Sequence, residues 1–108
     1  MFNRVTYVAA IVLVFSAATL TSFAQAPGAD TFKTKCAMCH GDDGLGNTAM
    51  GKALGIQSYK APEILKMSNA DLATTIKNGK NNKMPSFNGQ LTDAQIKDVV
   101  QYIHKLQK

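Results

Sequence analysis

Cys36-Ala37-Met38-Cys39-His40 is the stretch that decides how this chain folds, because it holds both cysteines of the chain and one of its two histidines. Two residues between the thiols let both sulfurs reach the two vinyl groups on one edge of a porphyrin. An imidazole directly after the second cysteine then lies under the iron of the same ring. The pentapeptide therefore predicts a covalently attached haem, with Cys36 and Cys39 as the anchors and His40 as an axial ligand of the iron.

Three other interpretations of the two cysteines are weaker. A redox Cys-x-x-Cys usually follows a strand of a βαβ unit, and nothing before Cys36 has that pattern. A zinc site would draw on Cys36, Cys39, His40 and His104, but adjacent ligands such as Cys39 and His40 fit zinc spacings poorly. A disulfide between cysteines so close in sequence closes a tiny loop and adds little stability.

The first 24 residues have the features of a secretory signal. Arg4 precedes an apolar run over residues 7–18, and Ser22-Phe23-Ala24 supplies the small residues of a cleavage site. We therefore expect a signal peptide over residues 1–24 and export to the periplasm.

Two alternatives to this cleavage are disfavoured. Cleavage after Ala26 would place Pro27 beside the scissile bond, where its rigid ring should hinder the peptidase. An uncleaved anchor would need about 20 apolar residues to span a bilayer, and the run here is about a dozen. The mature chain is thus expected to be a soluble domain over residues 25–108, with no membrane span.

The mature domain would contain 84 residues, of which eleven are basic and seven acidic. A chain this short is near the lower limit at which an apolar core alone stabilises a fold, so a buried apolar cofactor would help. The modest positive excess disfavours a dedicated nucleic-acid binder. It fits docking onto acidic surfaces of redox proteins, or simple solubility of a monomer.

Helices separated by loops account for the pattern of the mature sequence, since strand-like alternation and internal repeats are absent from it. The first helix is expected to begin near Pro27 and to run into the haem motif. Ser68 and Thr92 each open a capping box, which predicts one helix that ends at Gly79 and another that runs to the C-terminus. A short helical turn is expected over residues 62–66.

Residues 41–47 are glycine-rich and are expected to form an irregular loop. Asp42 and Asp43 in this loop resemble a calcium site only superficially, because the alternating ligand positions and the closing glutamate of an EF-hand are missing. We expect both to be solvated charges.

A six-coordinate iron would need a second axial ligand from elsewhere in the chain. The candidates are Met38, Met50, Met67, Met84, His104 and several lysines. Met38 lies inside the attachment loop, and Met67 has the pattern of a core residue. Met84 is preferred, because Pro85 follows it and a polar run precedes it, so that this segment can cross the far face of the porphyrin. Met50 stays open as an alternative.

These features together resemble the small class I c-type cytochromes, over nearly all of the mature sequence. The residues that carry the resemblance are Gly28, Phe32, the motif 36–40, the segment 83–87, Val99 and Tyr102. The resemblance implies an all-α fold, with three to four helices and loops wrapped around one covalent haem c. It also implies that the first and last helices cross closely, with Gly28 allowing the approach and Phe32 and Tyr102 packing at the crossing.

One departure from the resemblance concerns His40. Many members of that family place a proline after the histidine, and the proline carbonyl accepts a hydrogen bond from the imidazole. Residues 41–61 contain no proline. His40 should still need an acceptor for its other ring nitrogen, and the sequence does not name it.

The expected function is that of a single-electron carrier between redox proteins outside the cytoplasm. With His40 and Met84 both bound, the iron has no free position for a substrate, so an enzyme is not expected. Lys77, Lys80 and Lys83 precede the methionine and are expected to surround the haem edge and steer it toward acidic partners. A haem enzyme or gas sensor with a displaced Met84, and a fixed subunit of a larger dehydrogenase or oxidase, remain as alternatives.

Overall fold

The computed structural model describes Val14, residues 16–17 and residues 26–108. The predicted signal peptide over residues 1–24 lies outside the described residues apart from those three positions. The described part contains six helical segments, α1 (Ala29–Lys35), α2 (Ala37–His40), α3 (Ala49–Leu54), α4 (Pro62–Leu65), α5 (Asn69–Asn78) and α6 (Asp93–Leu106). In this part of the chain, no helix has the length and apolar composition needed to cross a membrane.

The two longest helices begin where the sequence predicts, each with a capping box. At the start of α5, Ser68 Oγ accepts from the Asp71 backbone N–H at 3.0 Å, and the Asp71 carboxylate accepts from the Ser68 N–H at 3.3 Å. At the start of α6, Thr92 Oγ1 and Gln95 Oε1 make the same reciprocal pair at 3.1 and 2.9 Å. The helix α5 ends before Gly79, as predicted. Both caps satisfy N–H groups that have no partner within the helix.

The helix α6 forms the centre of the core, because it packs against both α1 and α5. Its side chains Ile96, Val99, Val100 and Ile103 are at most 3% exposed. They form the apolar stripe that the helical spacing predicts. Burial of each such side chain contributes about 1.5–3 kcal/mol relative to exposure, so this face is a large apolar contribution to the fold.

The predicted close crossing of the first and last helices is confirmed. Gly28 has a φ of 83°, and a Cβ at this position would lie 2.3 Å from the carbonyl oxygen of Asp98 in α6. Phe32 is fully buried at the crossing, and its ring centroid lies 5.2 Å from that of Tyr102. The helix α1 begins at Ala29 rather than at Pro27, because the left-handed conformation of Gly28 cannot belong to a right-handed helix.

The helix α3 is the element that the sequence analysis misses. Thr48 caps it, with Oγ1 accepting from the Gly51 N–H at 2.8 Å, and Gly55 ends it with a φ of 67°. A glycine inside this segment lowers its helix propensity, so the local sequence does not predict a helix there. The helical turn expected over 62–66 is present as α4, with Pro62 at its first position. The all-α prediction is confirmed, and the additional segments are short helices.

Candidate functional site

A cavity of about 360 Å³ opens beside the core, and both His40 and Met84 line it. Its volume lies in the usual range for ligand sites, about 300–1,000 Å³. Half of its lining residues have aliphatic or thioether side chains. Besides Met84, they are Leu54, Ile56, Ile64, Met67, Leu72, Ile76 and Ile103. Such walls favour a large apolar ligand.

The motif residues lie at the junction of α1 and α2. The Cys36 N–H donates to the Phe32 carbonyl at 2.8 Å, and the His40 N–H donates to the Cys36 carbonyl at 3.0 Å, so the motif continues the first helix through a bend. Cys36 is buried, Cys39 is half-buried, and neither thiol is in a disulfide. Burial, with a smaller contribution from Cys39, raises the pKa of Cys36 to about 11, so this sulfur is a neutral thiol at neutral pH.

The glycine-rich loop and α3 hold the end of α2 in place. The Gly46 N–H donates to the His40 carbonyl at 2.8 Å, and Thr48 Oγ1 donates to the Cys39 carbonyl at 2.7 Å. Gly51 in α3 approaches so closely that a Cβ there would lie 2.6 Å from the Cys39 carbonyl oxygen. These contacts satisfy carbonyl groups that the short helix leaves unpaired, and they fix the position of His40.

The two ring nitrogens of His40 are in different environments, which decides which of them could bind a metal ion. Its Nδ1 is buried and has no hydrogen-bond partner among the described residues. Since Nδ1 is enclosed, Nε2 is the nitrogen that would bind a metal ion in the cavity. Burial also lowers the pKa of His40, which keeps the ring neutral, as metal coordination requires. The ring of Tyr59 stacks on the imidazole, with centroids 4.9 Å apart and planes inclined by 23°.

Met84 closes a tight backbone hairpin. The Lys80 N–H donates to the Met84 carbonyl at 3.1 Å, and the Met84 N–H donates back to the Lys80 carbonyl at 3.0 Å. Asn81 and Asn82 form the turn with φ values of 54° and 55°. Two consecutive residues at positive φ are typical of a type I′ turn, and asparagine tolerates this conformation better than most residues.

The segment after Met84 is attached to the end of α5. The Phe87 N–H donates to the Ile76 carbonyl at 3.2 Å, and Ser86 Oγ donates to the Lys77 carbonyl at 2.7 Å. A Cβ on Gly79 would lie 2.5 Å from the Met84 carbonyl oxygen, so this close approach depends on glycine. The last carbonyl groups of α5 thereby position the methionine at the cavity.

The other candidates for a second axial ligand are mostly elsewhere. Met38 and Met50 are 79% and 45% exposed, and neither lines the cavity. Both ring nitrogens of His104 contact amide oxygens, those of Gln107 and Asn69. Met67 does line the cavity, which the sequence analysis did not anticipate.

The three lysines that precede Met84 do not act as one group. Lys80 and Lys83 line the cavity. Lys77 lies on α5 and does not line the cavity. Its Nζ pairs with the carboxylate of Asp93 at 3.2 Å. Sequence proximity suggested a common cluster, but the direction of each side chain on the helix and hairpin separates them.

The residues present fit a covalent haem. One free thiol, Cys39, lies on the short helix that carries His40, and the other, Cys36, is the N-cap of that helix. His40 lines a largely apolar cavity, and a methionine lines the same cavity. Two cysteines that attach the porphyrin, with imidazole and thioether as donors to the iron, are the residues that electron-transfer haems of this type use.

Known proteins are similar to this chain in both sequence and structure. The family described as cytochrome C oxidase, cbb3-type, subunit III matches residues 23–103. A cbb3-type cytochrome c oxidase subunit CcoP of Azospirillum brasilense is 30% identical over 105 residues, which cover 96% of this chain. This chain spans only 36% of the length of that subunit.

Two shorter proteins match over most of their length. Cytochrome c6 of a Synechococcus species is 36% identical over 102 residues, which cover 85% of this chain and 86% of that protein. The solved structure titled KustC0563 c-type cytochrome superposes with a TM-score of 0.69 and 28% identity, covering 75% of this chain and 98% of that one.

Proposed function

This chain belongs to the c-type cytochrome family that is described as subunit III of cbb3-type cytochrome c oxidases, and from this membership we propose that it carries single electrons between redox proteins. The observation that carries the proposal is that His40 and Met84 line one largely apolar cavity, and that two free thiols precede His40 in the same motif. Cys36 and Cys39 would attach one haem covalently. His40 Nε2 and the Met84 thioether would be the axial ligands.

The bound haem would supply one-electron chemistry, with a reduction potential that methionine ligation raises. The residues of the chain determine the rest. The aliphatic side chains of the wall would lie against the porphyrin and disfavour the more highly charged oxidised state, which would also raise the potential. Because His40 and Met84 would fill both axial positions, no position is left for a substrate, and we propose a carrier rather than an enzyme.

The proposed setting is the periplasm, after removal of residues 1–24. The proposed partners are redox proteins with acidic surfaces, since Lys80 and Lys83 lie at the cavity and are exposed. Positive charge at this place would guide such surfaces toward the haem and raise the association rate.

The proposal is tested by producing the full chain in a host that matures c-type cytochromes. We expect mature protein with one covalent haem by mass spectrometry, a low-spin spectrum, and the weak red charge-transfer band of methionine-bound ferric haem. Reduction and reoxidation should each involve one electron per chain. A colourless polypeptide without iron, after export and processing, would refute the proposal.

A second candidate function is that of a fixed subunit in a larger oxidase. The similarity to cbb3-type oxidase subunits, which are much longer than this chain, favours it. Gentle purification from the native source distinguishes the two candidates. A shuttle should elute alone near its monomer mass, whereas a subunit should co-purify with partners in fixed stoichiometry.

A further inference from the structure

The imidazole of His40 lacks the usual means of holding its orientation. A metal-ligating histidine normally donates its second ring N–H to a carbonyl or carboxylate, which fixes the ring plane and raises its basicity. Here Nδ1 is buried, and the described residues provide no acceptor for it. Something other than a hydrogen bond must prevent the ring from rotating about its bond to Cβ.

Tyr59 provides a flat surface against this ring. The two ring centroids are 4.9 Å apart, and the planes are inclined by only 23°. Tyr59 is 8% exposed, so it has little space to move away. Rotation of the imidazole out of its plane would drive its edge into the aromatic ring, and the stack therefore restricts the imidazole sterically.

Contacts from three separate parts of the chain fix Tyr59. The Tyr59 N–H donates to the Gly44 carbonyl at 2.9 Å, and Gln107 Nε2 donates to the Tyr59 carbonyl at 3.1 Å. The ring of Phe32 packs edge-on at 6.1 Å. A Cβ on Gly44 would lie 2.4 Å from the Tyr59 ring, so the ring can occupy this place only because residue 44 is glycine.

We propose that Tyr59 is the positioning residue of His40, and that aromatic stacking replaces the missing hydrogen bond to Nδ1. This inference rests on the proposed function, in which His40 Nε2 binds the haem iron. The aromatic face fixes the plane of the imidazole, and the buried Nδ1 leaves His40 a weaker donor than a hydrogen-bonded histidine. A weaker donor stabilises the oxidised iron less and raises the reduction potential.

The test compares two variants of the holoprotein, Tyr59→Phe and Tyr59→Leu. Phenylalanine keeps the flat face, so we expect the low-spin EPR signal and the midpoint potential of the wild type. Leucine removes the face, so we expect a broadened or split EPR signal. We also expect a lower potential, because water that reaches Nδ1 would accept its proton and make the imidazole a stronger donor.

An unchanged EPR signal and potential in a folded Tyr59→Leu variant would overturn the inference, as would equal shifts in the Phe and Leu variants. Should the Leu variant not fold, a nuclear Overhauser effect between the Tyr59 and His40 ring protons in the reduced, diamagnetic wild type decides. Its absence overturns the inference and its presence supports it. Wild-type protein without covalent haem would instead refute the proposed function, so the two failures are distinguishable.

Discussion

At the scale of single residues, the proposed sulfur ligand of the iron could be either of two methionines, since Met67 and Met84 both line the cavity. Met84 belongs to a hairpin that backbone hydrogen bonds attach to the end of α5. Met67 and Met84 both pack against the buried core as partly buried side chains. Its place in this hairpin favours Met84 as the proposed axial ligand, and leaves Met67 as part of the cavity wall.

We expect Met84→Ala to leave the haem attached but to open the iron, because the thioether would be lost while both cysteines remain. The potential should fall, and cyanide or carbon monoxide should bind quickly, as measured by absorption after rapid mixing. Met67→Ala is the matched control and should keep the low-spin spectrum with reduced stability. The reverse result, an open iron in Met67→Ala alone, would transfer the ligand role to Met67.

Gly28 gives a second prediction at this scale. Gly28→Ala adds a Cβ at a φ of 83° and within 2.3 Å of Asp98. We expect a loss of about 3 kcal/mol in the free energy of unfolding, from backbone strain and from forcing α1 away from α6.

The matched control is Gly89→Ala, where φ is 79° and nothing lies within 4 Å. Only backbone strain should act there, so we expect a loss of about 1 kcal/mol. Denaturant titration of both variants measures the difference. Equal losses would contradict the claim that Gly28 is needed for the helix crossing.

At the scale of elements, the capping boxes determine where the long helices begin. Thr92→Ala should lower the free energy of unfolding by about 1 kcal/mol, because the Gln95 N–H would lose its acceptor. Thermal unfolding followed by circular dichroism measures this. Thr74→Ala, at an exposed position inside α5, should be neutral or slightly stabilising.

The contrast between α6 and α3 shows why some elements are predictable from sequence and others are not. The start of α6 is encoded by residues close together in sequence. A threonine is followed three positions later by a glutamine, and an apolar stripe comes after them. The helix α3 has a cap but no stripe, and Gly51 is there because α3 must approach the Cys39 carbonyl closely. Tertiary packing, which the local pattern does not record, overrides helix propensity in that segment.

The site shows the same division. Cys36, Cys39 and His40 are contiguous, so the chemistry of the motif is legible without a structure. The stack of Tyr59 on His40 joins residues 19 positions apart in sequence, and it forms only when the intervening loop folds back past Gly44. No local pattern around Tyr59 predicts it. The ion pair of Lys77 with Asp93 likewise depends on how α5 and α6 pack.

At the scale of the whole molecule, charge near the cavity should control association with partners. We expect the double variant Lys80→Glu, Lys83→Glu to react roughly tenfold more slowly with an acidic redox partner at low ionic strength. The difference should shrink at high salt, where charges are screened. Stopped-flow electron transfer at several salt concentrations measures it.

Lys97→Glu serves as the control, because this exposed lysine of α6 does not line the cavity. It changes the net charge by the same amount per substitution without changing charge at the proposed docking place. Equal slowing per substitution in both variants would mean that overall charge, rather than local charge, governs the encounter.

The attachment of Met84 to the end of α5 also bears on how the protein folds. His40 and Met84 are 44 positions apart, and in the proposed ligation the iron would join them into a closed loop that contains α3, α4 and α5. Closing a loop of this length removes chain entropy from the unfolded ensemble. The bond from methionine to iron would therefore act as a reversible cross-link. Its formation would be the step that fixes the second half of the polypeptide to the first half, which would already carry the attached porphyrin.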